Sequence, residues 1–271
     1  MGADGGVDGR GRLRVAFVGK GGVGKSAIAG TFARVLARAG HDVLALDSDP
    51  MPGLAFSLGL ERSDAGIPDD AVVERAEGER GPRFRLREGL DAVTAVESYT
   101  VLAPDGVRFL QFGKLQGHVG PLVRSQHAFR QIGDELPADR WSVIGDLPGG
   151  PRQPFFGWAA FAETVLIVTE PTPKSIFLAK RLVRMAEVAE MPQRLVTLVN
   201  KVRDPDDADD VARRTGLALA GAIPWDEDFA EAERKGLAPI DHVPNCPAVR
   251  AVESLAGALT RGALAQGGLT T

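Results

Sequence analysis

Residues 13–26 read LRVAFVGKGGVGKS, an apolar run that gives way to a glycine-rich loop ending in lysine and serine. Gly19-x-x-x-x-Gly24-Lys25-Ser26 fits the phosphate-loop pattern G-x-x-x-x-G-K-[ST] at every specified position. Its context supports the match. Leu13 to Val18 is strand-like, and Ile28, Phe32, Val35, Leu36 and Ala39 recur at helical spacing until Gly40, a suitable C-cap. Strand, loop and helix therefore come in the order a phosphate cradle needs. Glycines let backbone N–H groups curl around phosphates without Cβ clashes, and a helix N-terminus adds positive partial charge. Gly21, Gly22, Val23, Gly24, Lys25, Ser26 and Ala27 are the candidate contacts, with Lys25 reaching the β- and γ-phosphates and Ser26 ligating Mg²⁺.

A second lysine, Lys20, follows the first glycine of the loop. With it, the segment resembles the deviant Walker A loop, K-G-G-x-G-K-[ST], of the MinD/ParA, nitrogenase iron protein, arsenical-pump ATPase and CooC-type nickel-insertion ATPase group. The resemblance implies ATP/ADP and Mg²⁺ as cofactors and an ATP-dependent homodimer. It also implies that Lys20 crosses the interface to the partner subunit's nucleotide, as a catalytic residue beside Lys25.

At 271 residues, 44% hydrophobic and 25% charged, the chain can bury a sizeable core. The expected organisation is a tail over 1–11, one ATPase domain over 12–265 with an insertion at 61–100, and a tail over 266–271. A net charge of −4 argues against broad electrostatic capture of nucleic acid. The single cysteine, Cys246, excludes an internal disulfide and agrees with a reducing compartment. The Gly- and Asp-rich start has no apolar core of a signal peptide, and no run approaches the roughly 18 apolar residues of a membrane span. A cytoplasmic protein is expected, with DNA and membrane unfavoured as partners.

His41 to Asp47 reads as a short buried strand followed by Ser48-Asp49-Pro50. On spacing alone Asp47 and Asp49 suit either a turn before proline or the ligand-binding edge of an open α/β sheet. The D-x-D-P segment is similar to the family's switch I. That likeness implies that Asp49 orients or activates the attacking water and Asp47 contacts Mg²⁺ through water. Trp141 to Gly145, closed by Asp146 and followed by Leu147-Pro148-Gly149-Gly150, reads as a Walker B strand entering a flexible switch, with Asp146 holding Mg²⁺ through water. Thr164 to Thr169 is a buried strand; Thr172 then suits an N-cap and Pro173 a first helical residue, with Leu178, Leu182, Met185 and Ala189 marking the buried face.

Leu195 to Val199 is another buried strand, closed by Asn200-Lys201, and Leu217 to Ile223 the last one, followed by Pro224-Trp225-Asp226. N-[KR] and I-P-x-[DE] resemble the family's base-recognition positions, which implies that Asn200, Lys201, Pro224 and Trp225 bind the adenine. The remaining expectations are less tied to chemistry. Residues 61–100 suggest weak helix over Asp69 to Ala76 and an extended pair at Phe84 to Leu86 and Ala92 to Tyr99, as a solvated insertion or a partner-binding segment. A strand at Val107 to Phe112 leads through a glycine-rich loop to a helix over Leu122 to Leu136, and Pro154 to Phe161 reads as an aromatic core helix or a partner-facing apolar surface.

Where CooC-like proteins carry a C-x-C pair, this chain has no cysteine, so a soft thiolate metal site is not expected there. His118 and His127, or His242 and Cys246, are too few ligands for a defined metal centre and read as loop or surface residues rather than metal ligands.

The strand–helix alternation predicts an α/β fold with a mostly parallel central sheet flanked by helices. The implied function is an ATPase that dimerises around nucleotide to act on an unidentified client protein. Three uses compete: metalloenzyme maturation, partitioning or positioning, and nucleotide-sensing capture with little turnover.

Overall fold

The computed structural model describes residues 11–48, 53–61, 66–76, 78–111, 119–148, 157–191 and 193–262, and the side chains of all of these except 119–123. In chain order the elements are β1 (Arg14–Gly19), α1 (Lys25–Arg38), β2 (Val43–Asp47), α2 (Leu54–Ser57), β3 (Val72–Glu74), β4 (Phe84–Leu86), α3 (Ala92–Tyr99), β5 (Val101–Leu102), β6 (Arg108–Gln111), α4 (Val119–Glu135), β7 (Ser142–Asp146) and β8 (Thr164–Thr169). They continue with α5 (Pro173–Val188), β9 (Arg194–Val202), α6 (Asp207–Thr215), β10 (Leu219–Pro224), α7 (Glu227–Arg234), α8 (Pro239–His242) and α9 (Pro247–Thr260).

Among the described residues, eight strands form one sheet in the order β10-β9-β8-β1-β7-β2-β6-β5, parallel throughout except where the short β5 runs antiparallel to β6. The central strands are runs of Val, Ile, Leu, Phe and Ala because both of their faces are covered. On one face α1 and α9 pack with Phe17, Phe32, Phe109 and Val249 in a common core. On the other, Leu46, Leu110, Val143 and Ile167 meet Phe129 and Ile132 of α4 and Leu182 of α5. The parallel order follows from this layering, since each return to the same sheet edge passes through a covering helix.

Helix ends obey local chemistry. After α1, Gly40 takes φ 88; its N–H donates to Ala37 O and that of His41 to Leu36 O, a glycine-closed C-terminus. Thr172 caps α5 by accepting from Ser175 N at 3.3 Å, with Pro173 at the first helical position. The buried stripe of α5 is Ser175, Ile176, Ala179, Leu182, Val183 and Ala186; of the expected line Leu178, Leu182, Met185 and Ala189, Leu182 alone belongs to it. That stripe is set by where β8 and β9 lie, and it admits small residues that a hydrophobicity pattern overlooks.

Three other expectations change. Asp69–Ala71 is a single 3-10 turn that passes directly into β3, because the following valines pair antiparallel with β4. Ala92–Tyr99 is a helix, started by Asp91 accepting from Thr94 N at 2.7 Å and burying Ala92, Ala95 and Val96. The described end of the aromatic stretch, 157–161, is a turn in which Trp158, Ala159 and Phe161 are buried. No described helix is long and apolar enough to cross a membrane.

Candidate nucleotide site

Gly19 closes β1 directly against β8. A Cβ there would lie 2.4 Å from the Val168 carbonyl oxygen, so only glycine lets the loop leave the sheet at this point. Gly24, at φ 86, is the N-cap of α1, and a Cβ on it would meet Asn200 Nδ2 at 2.6 Å. Between them Val23 N donates to Lys20 O at 3.3 Å, and Ile28 N to Gly24 O at 3.1 Å. The helix start has no side-chain cap and no acidic residue in its first turn. Its N–H groups and dipole are thus left to an external anion. Gly21 and Gly22 are exposed on the loop, Val23, Lys25 and Ala27 are buried, and Lys20 and Ser26 are half-buried.

The sheet register brings the acidic residues to the same place. Asp47 ends β2 and Asp146 ends β7, and the two pair directly across the parallel ladder. Ser26 Oγ donates to Asp146 Oδ2 at 2.5 Å, while Lys25 Nζ stands 4.0 Å from Asp146 Oδ1. Both Lys25 and Asp146 are buried, at 8% and 3% exposure, so charge here is felt in a poorly screened environment. The Ser48 backbone and hydroxyl each donate to Asp146 O at 3.1 Å, and Leu54 N donates to Asp47 Oδ2 at 3.2 Å. These bonds tie the chain on either side of 49–52 to the carboxylate strand. Hydroxyl and carboxylate oxygens at this spacing form the hard-oxygen donor set that suits Mg²⁺, with water completing its shell. Asp49, Gly149 and Gly150 lie outside the described residues.

Asn200 and Lys201 reach the loop from below. Asn200 Nδ2 donates to Val23 O at 2.7 Å; Lys201 Nζ donates to Gly22 O at 3.0 Å and to Glu170 Oε1 at 2.6 Å. The strand carrying them does not stop at Val199 as its pattern suggests. It bulges at Lys201, where φ is 60 and the pairing with β10 slips, and then runs on to Val202. Asn200, Lys201, Pro224 and Trp225 also border one shallow recess with Phe229 and Glu233. Trp225 N donates to Val202 O at 2.8 Å, and the Arg203 guanidinium sits 4.5 Å from the centre of the Trp225 ring. Burial pushes the Glu233 carboxyl above its ordinary range, partly offset by Lys201.

With strand, loop, helix and the two carboxylate-ended strands in place, comparison with known proteins gives a family. The family model for the CobQ/CobB/MinD/ParA nucleotide binding domain matches residues 15–240. The chain belongs to this family. An ATP-binding protein of Methanocaldococcus jannaschii is 30% identical over 236 residues, covering 83% of this chain and 90% of that protein. The carbon monoxide dehydrogenase accessory protein CooC of Rhodospirillum rubrum is 29% identical over 245 residues, covering 86% and 92%. Among solved structures, the septum site-determining protein MinD of Pyrococcus horikoshii, complexed with Mg-ADP, superposes with a TM-score of 0.70 at 17% identity, covering 91% and 96%.

Two further residues touch this candidate site. Glu170, which fixes Lys201, and Gly53, where a Cβ would come within 3.1 Å of Ser26 Oγ, belong to the site by contact. Glu170 sits in a Glu-Pro step after β8, which is its only sequence signal. The histidines do not join the site. His118 lies outside the described residues, and His127 packs on Phe84 with a ring separation of 5.6 Å, its pKa lowered by burial and by Arg130. His242 is exposed; Cys246 is buried at the start of α9, and that burial raises its thiol pKa. No group of three or more His, Cys, Asp or Glu suited to a metal occurs among the described residues.

Proposed function

We propose that this chain is a Mg²⁺-dependent ATPase that closes as a homodimer over two ATP molecules and uses hydrolysis to switch its hold on a client protein, in the maturation of a metalloenzyme. The observation that carries the reading is the meeting of Ser26 Oγ with Asp146 Oδ2 at 2.5 Å, beside the buried Lys25 and under an uncapped helix start. In this reading the backbone N–H groups from Gly21 to Ala27 bind the phosphates. Lys25 offsets charge on the γ-phosphate, Ser26 and Asp146 hold the metal position, and Asp47 supports it through water. Bound Mg²⁺ supplies the positive charge that the β- and γ-phosphate oxygens need during transfer. Asp49 orients the attacking water, Lys20 reaches the partner subunit's nucleotide, and Asn200, Lys201, Pro224 and Trp225 frame the base.

The maturation role rests on the likeness to CooC across most of both chains. With Cys246 as its single thiol, the chain takes the nucleotide-driven step of such a process and not the carriage of a soft metal on a thiolate pair.

Size-exclusion chromatography with a non-hydrolysable ATP analogue tests this. Wild type is expected to run as a dimer and Lys20→Ala mostly as a monomer. A mutant dimer as stable as wild type would remove the cross-subunit role of Lys20. Wild-type protein that retains no nucleotide would remove the whole reading.

A further inference from the structure

Away from the nucleotide site, the β3–β4 hairpin leans on α4 and leaves a cleft of about 420 Å³ between them, lined by Arg75, Arg85 and Arg130 and also by Asp134 and Glu135, with Phe84 as an apolar wall. Gln131 anchors the two elements by accepting from Leu86 N at 2.8 Å. Three guanidiniums therefore face one space, two from the hairpin side and one from the helix. The Nε–H of each of Arg75, Arg85 and Arg130 is buried and donates to nothing among the described residues. A buried donor without an acceptor is costly, and native structures rarely keep several together.

The neighbouring acids do not remove that demand. Glu74 accepts from Arg83 at 2.7 Å, Glu79 stands 4.0 Å from Arg75 Nη1, and Glu135 accepts from Gln131 Nε2 at 3.0 Å. Asp134, on the wall, has its pKa raised by burial against an opposing pull from Arg130. Arg83 and Arg124 cover Phe84, at 5.1 and 5.6 Å from its ring centre, and hold an apolar floor beside the guanidiniums. His127 is pushed toward its neutral form, so the positive charge of the cleft comes from arginine and persists across neutral pH.

We propose that this cleft is a docking site for a carboxylate-rich segment of the client protein, received by Arg75, Arg85 and Arg130. Planar guanidiniums match carboxylates bidentately, and these three line one cleft. At about 420 Å³ the cleft is many times larger than the ~10–15 Å³ that one water needs on the same measure. One inorganic anion would leave most of it wet, whereas two or three acidic side chains on one chain would fill it and reach all three arginines. Arg130 also lies against Gly157, where a Cβ would meet Nη2 at 2.2 Å and where φ is 86. Gly157 lies eleven residues past Asp146, so the cleft and the nucleotide site share one stretch of chain. The identity of the occupant as a client rests on the function proposed above; the oxyanion chemistry of the cleft does not.

Fluorescence anisotropy with a fluorescein-labelled hexaglutamate peptide reads this directly. Wild type is expected to bind saturably and more weakly as salt rises, with affinity falling at least tenfold in Arg85→Gln and in Arg130→Gln but unchanged in Arg213→Gln on α6. Absence of saturable binding, or equal binding by Arg85→Gln and Arg130→Gln, overturns the site. Unlabelled citrate or inorganic phosphate displacing the probe as well as unlabelled hexaglutamate does overturns the protein-segment assignment in favour of a free anion. Should either variant fail to fold, the ¹⁵Nε–H signals of Arg75, Arg85 and Arg130 in wild type decide the matter: they shift on peptide addition, or the proposal fails. ATP retention on the same samples distinguishes the cleft from the nucleotide site. Protein that binds peptide through Arg85 but holds no ATP keeps the cleft and loses the ATPase reading; protein that holds ATP but no peptide does the reverse.

Discussion

Helix α1 carries a polar cluster at each end, and the two are built on opposite plans. At its N-terminus Lys25 stands 4.0 Å from Asp146, and the first turn has no side-chain cap. Further along, Arg34 and Arg38 reach across to Asp105 and Asp241. Arg34 donates to Asp105 at 2.6 Å, to both Asp241 oxygens at 2.8 and 3.0 Å, and to Leu58 O at 2.9 Å. Arg38 adds bonds of 2.7 Å to each aspartate. One cluster holds a buried lysine 4.0 Å from a carboxylate beneath an uncapped helix start; the other locks its arginines into direct ion pairs. An uncapped helix start beside a buried lysine suits an external anion, whereas bidentate arginine–aspartate pairs suit a structural clamp, so the contrast separates the two on chemistry alone.

The sharpest way to break that contrast is to remove one cation from each cluster and read both binding and stability. Lys25→Met is expected to weaken ATP affinity or turnover by at least 100-fold, a loss of about 3 kcal/mol, while changing unfolding free energy by less than about 1 kcal/mol. Arg34→Met should do the converse. Arg34 is 1% exposed, and its loss leaves the two carboxylates with Arg38 alone and takes a donor from the Leu58 carbonyl. Because Asp105 and Asp241 keep 26% and 36% side-chain exposure, the cost falls at the lower end for a broken buried pair, about 3 kcal/mol by denaturant unfolding. Residual ATP binding per folded molecule should stay near wild type. If both variants lost binding and stability together, the two ends of α1 would be one cooperative unit and the distinction would fail.

The two clusters also differ in how far they could be read without a structure. The phosphate-loop pattern was legible because each position is dictated locally: glycine where a backbone approaches, then lysine and serine in the places the pattern reserves for phosphate and metal contacts, all within eight residues. Asp47 and Asp146 were legible because an acid closing an apolar run marks a strand end. The clamp was invisible. Its partners lie 71 and 207 residues from Arg34, and Asp105 adopts φ 59 in a turn that no pattern announces. Ala92–Tyr99 looks extended in sequence for the same reason: its helical state is decided by the Asp91 cap and by packing over the sheet, against the β preference of its valines. Asn200 shows a middle case. Its place at the site was legible from order, but its bond to Val23 O was not, since that depends on a bulge at Lys201.

That bond gives a smaller and more selective test of the binding end. Gly24→Ala puts a Cβ 2.6 Å from Asn200 Nδ2 and forces alanine to φ 86. The left-handed conformation alone costs about 1–2 kcal/mol, so nucleotide affinity is expected to fall about tenfold. Adding Asn200→Ala relieves the clash but not the backbone strain, so the double mutant, compared with Asn200→Ala alone to remove that residue's own contact with the base, should recover part of that loss in an isothermal titration. Full recovery would mean that strain at Gly24 is negligible; no recovery would mean that Asn200 does not press on the loop.

The smallest expected effect lies inside the clamp. Arg38 binds the same two aspartates as Arg34 at similar distances, yet its side chain is 42% exposed. Solvent screening and side-chain entropy then limit Arg38→Met to under about 1 kcal/mol, although its bond lengths alone would rank it with Arg34. Acid unfolding sharpens the comparison further. Burial would raise the Asp105 pKa, but the hydrogen bonds from Arg34 and Arg38 outweigh it and hold the carboxyl below its ordinary value. A depressed folded pKa means stability that is present above the unfolded value of about 3.9 and is lost as pH falls through the folded one. Wild type should therefore lose stability as acid protonates Asp105, Arg34→Met should show a flatter acid limb, and Arg38→Met should fall between them. If Arg38→Met flattened the limb as much as Arg34→Met, the clamp would depend on bond count, and burial would not be what distinguishes a structural charge from a surface one.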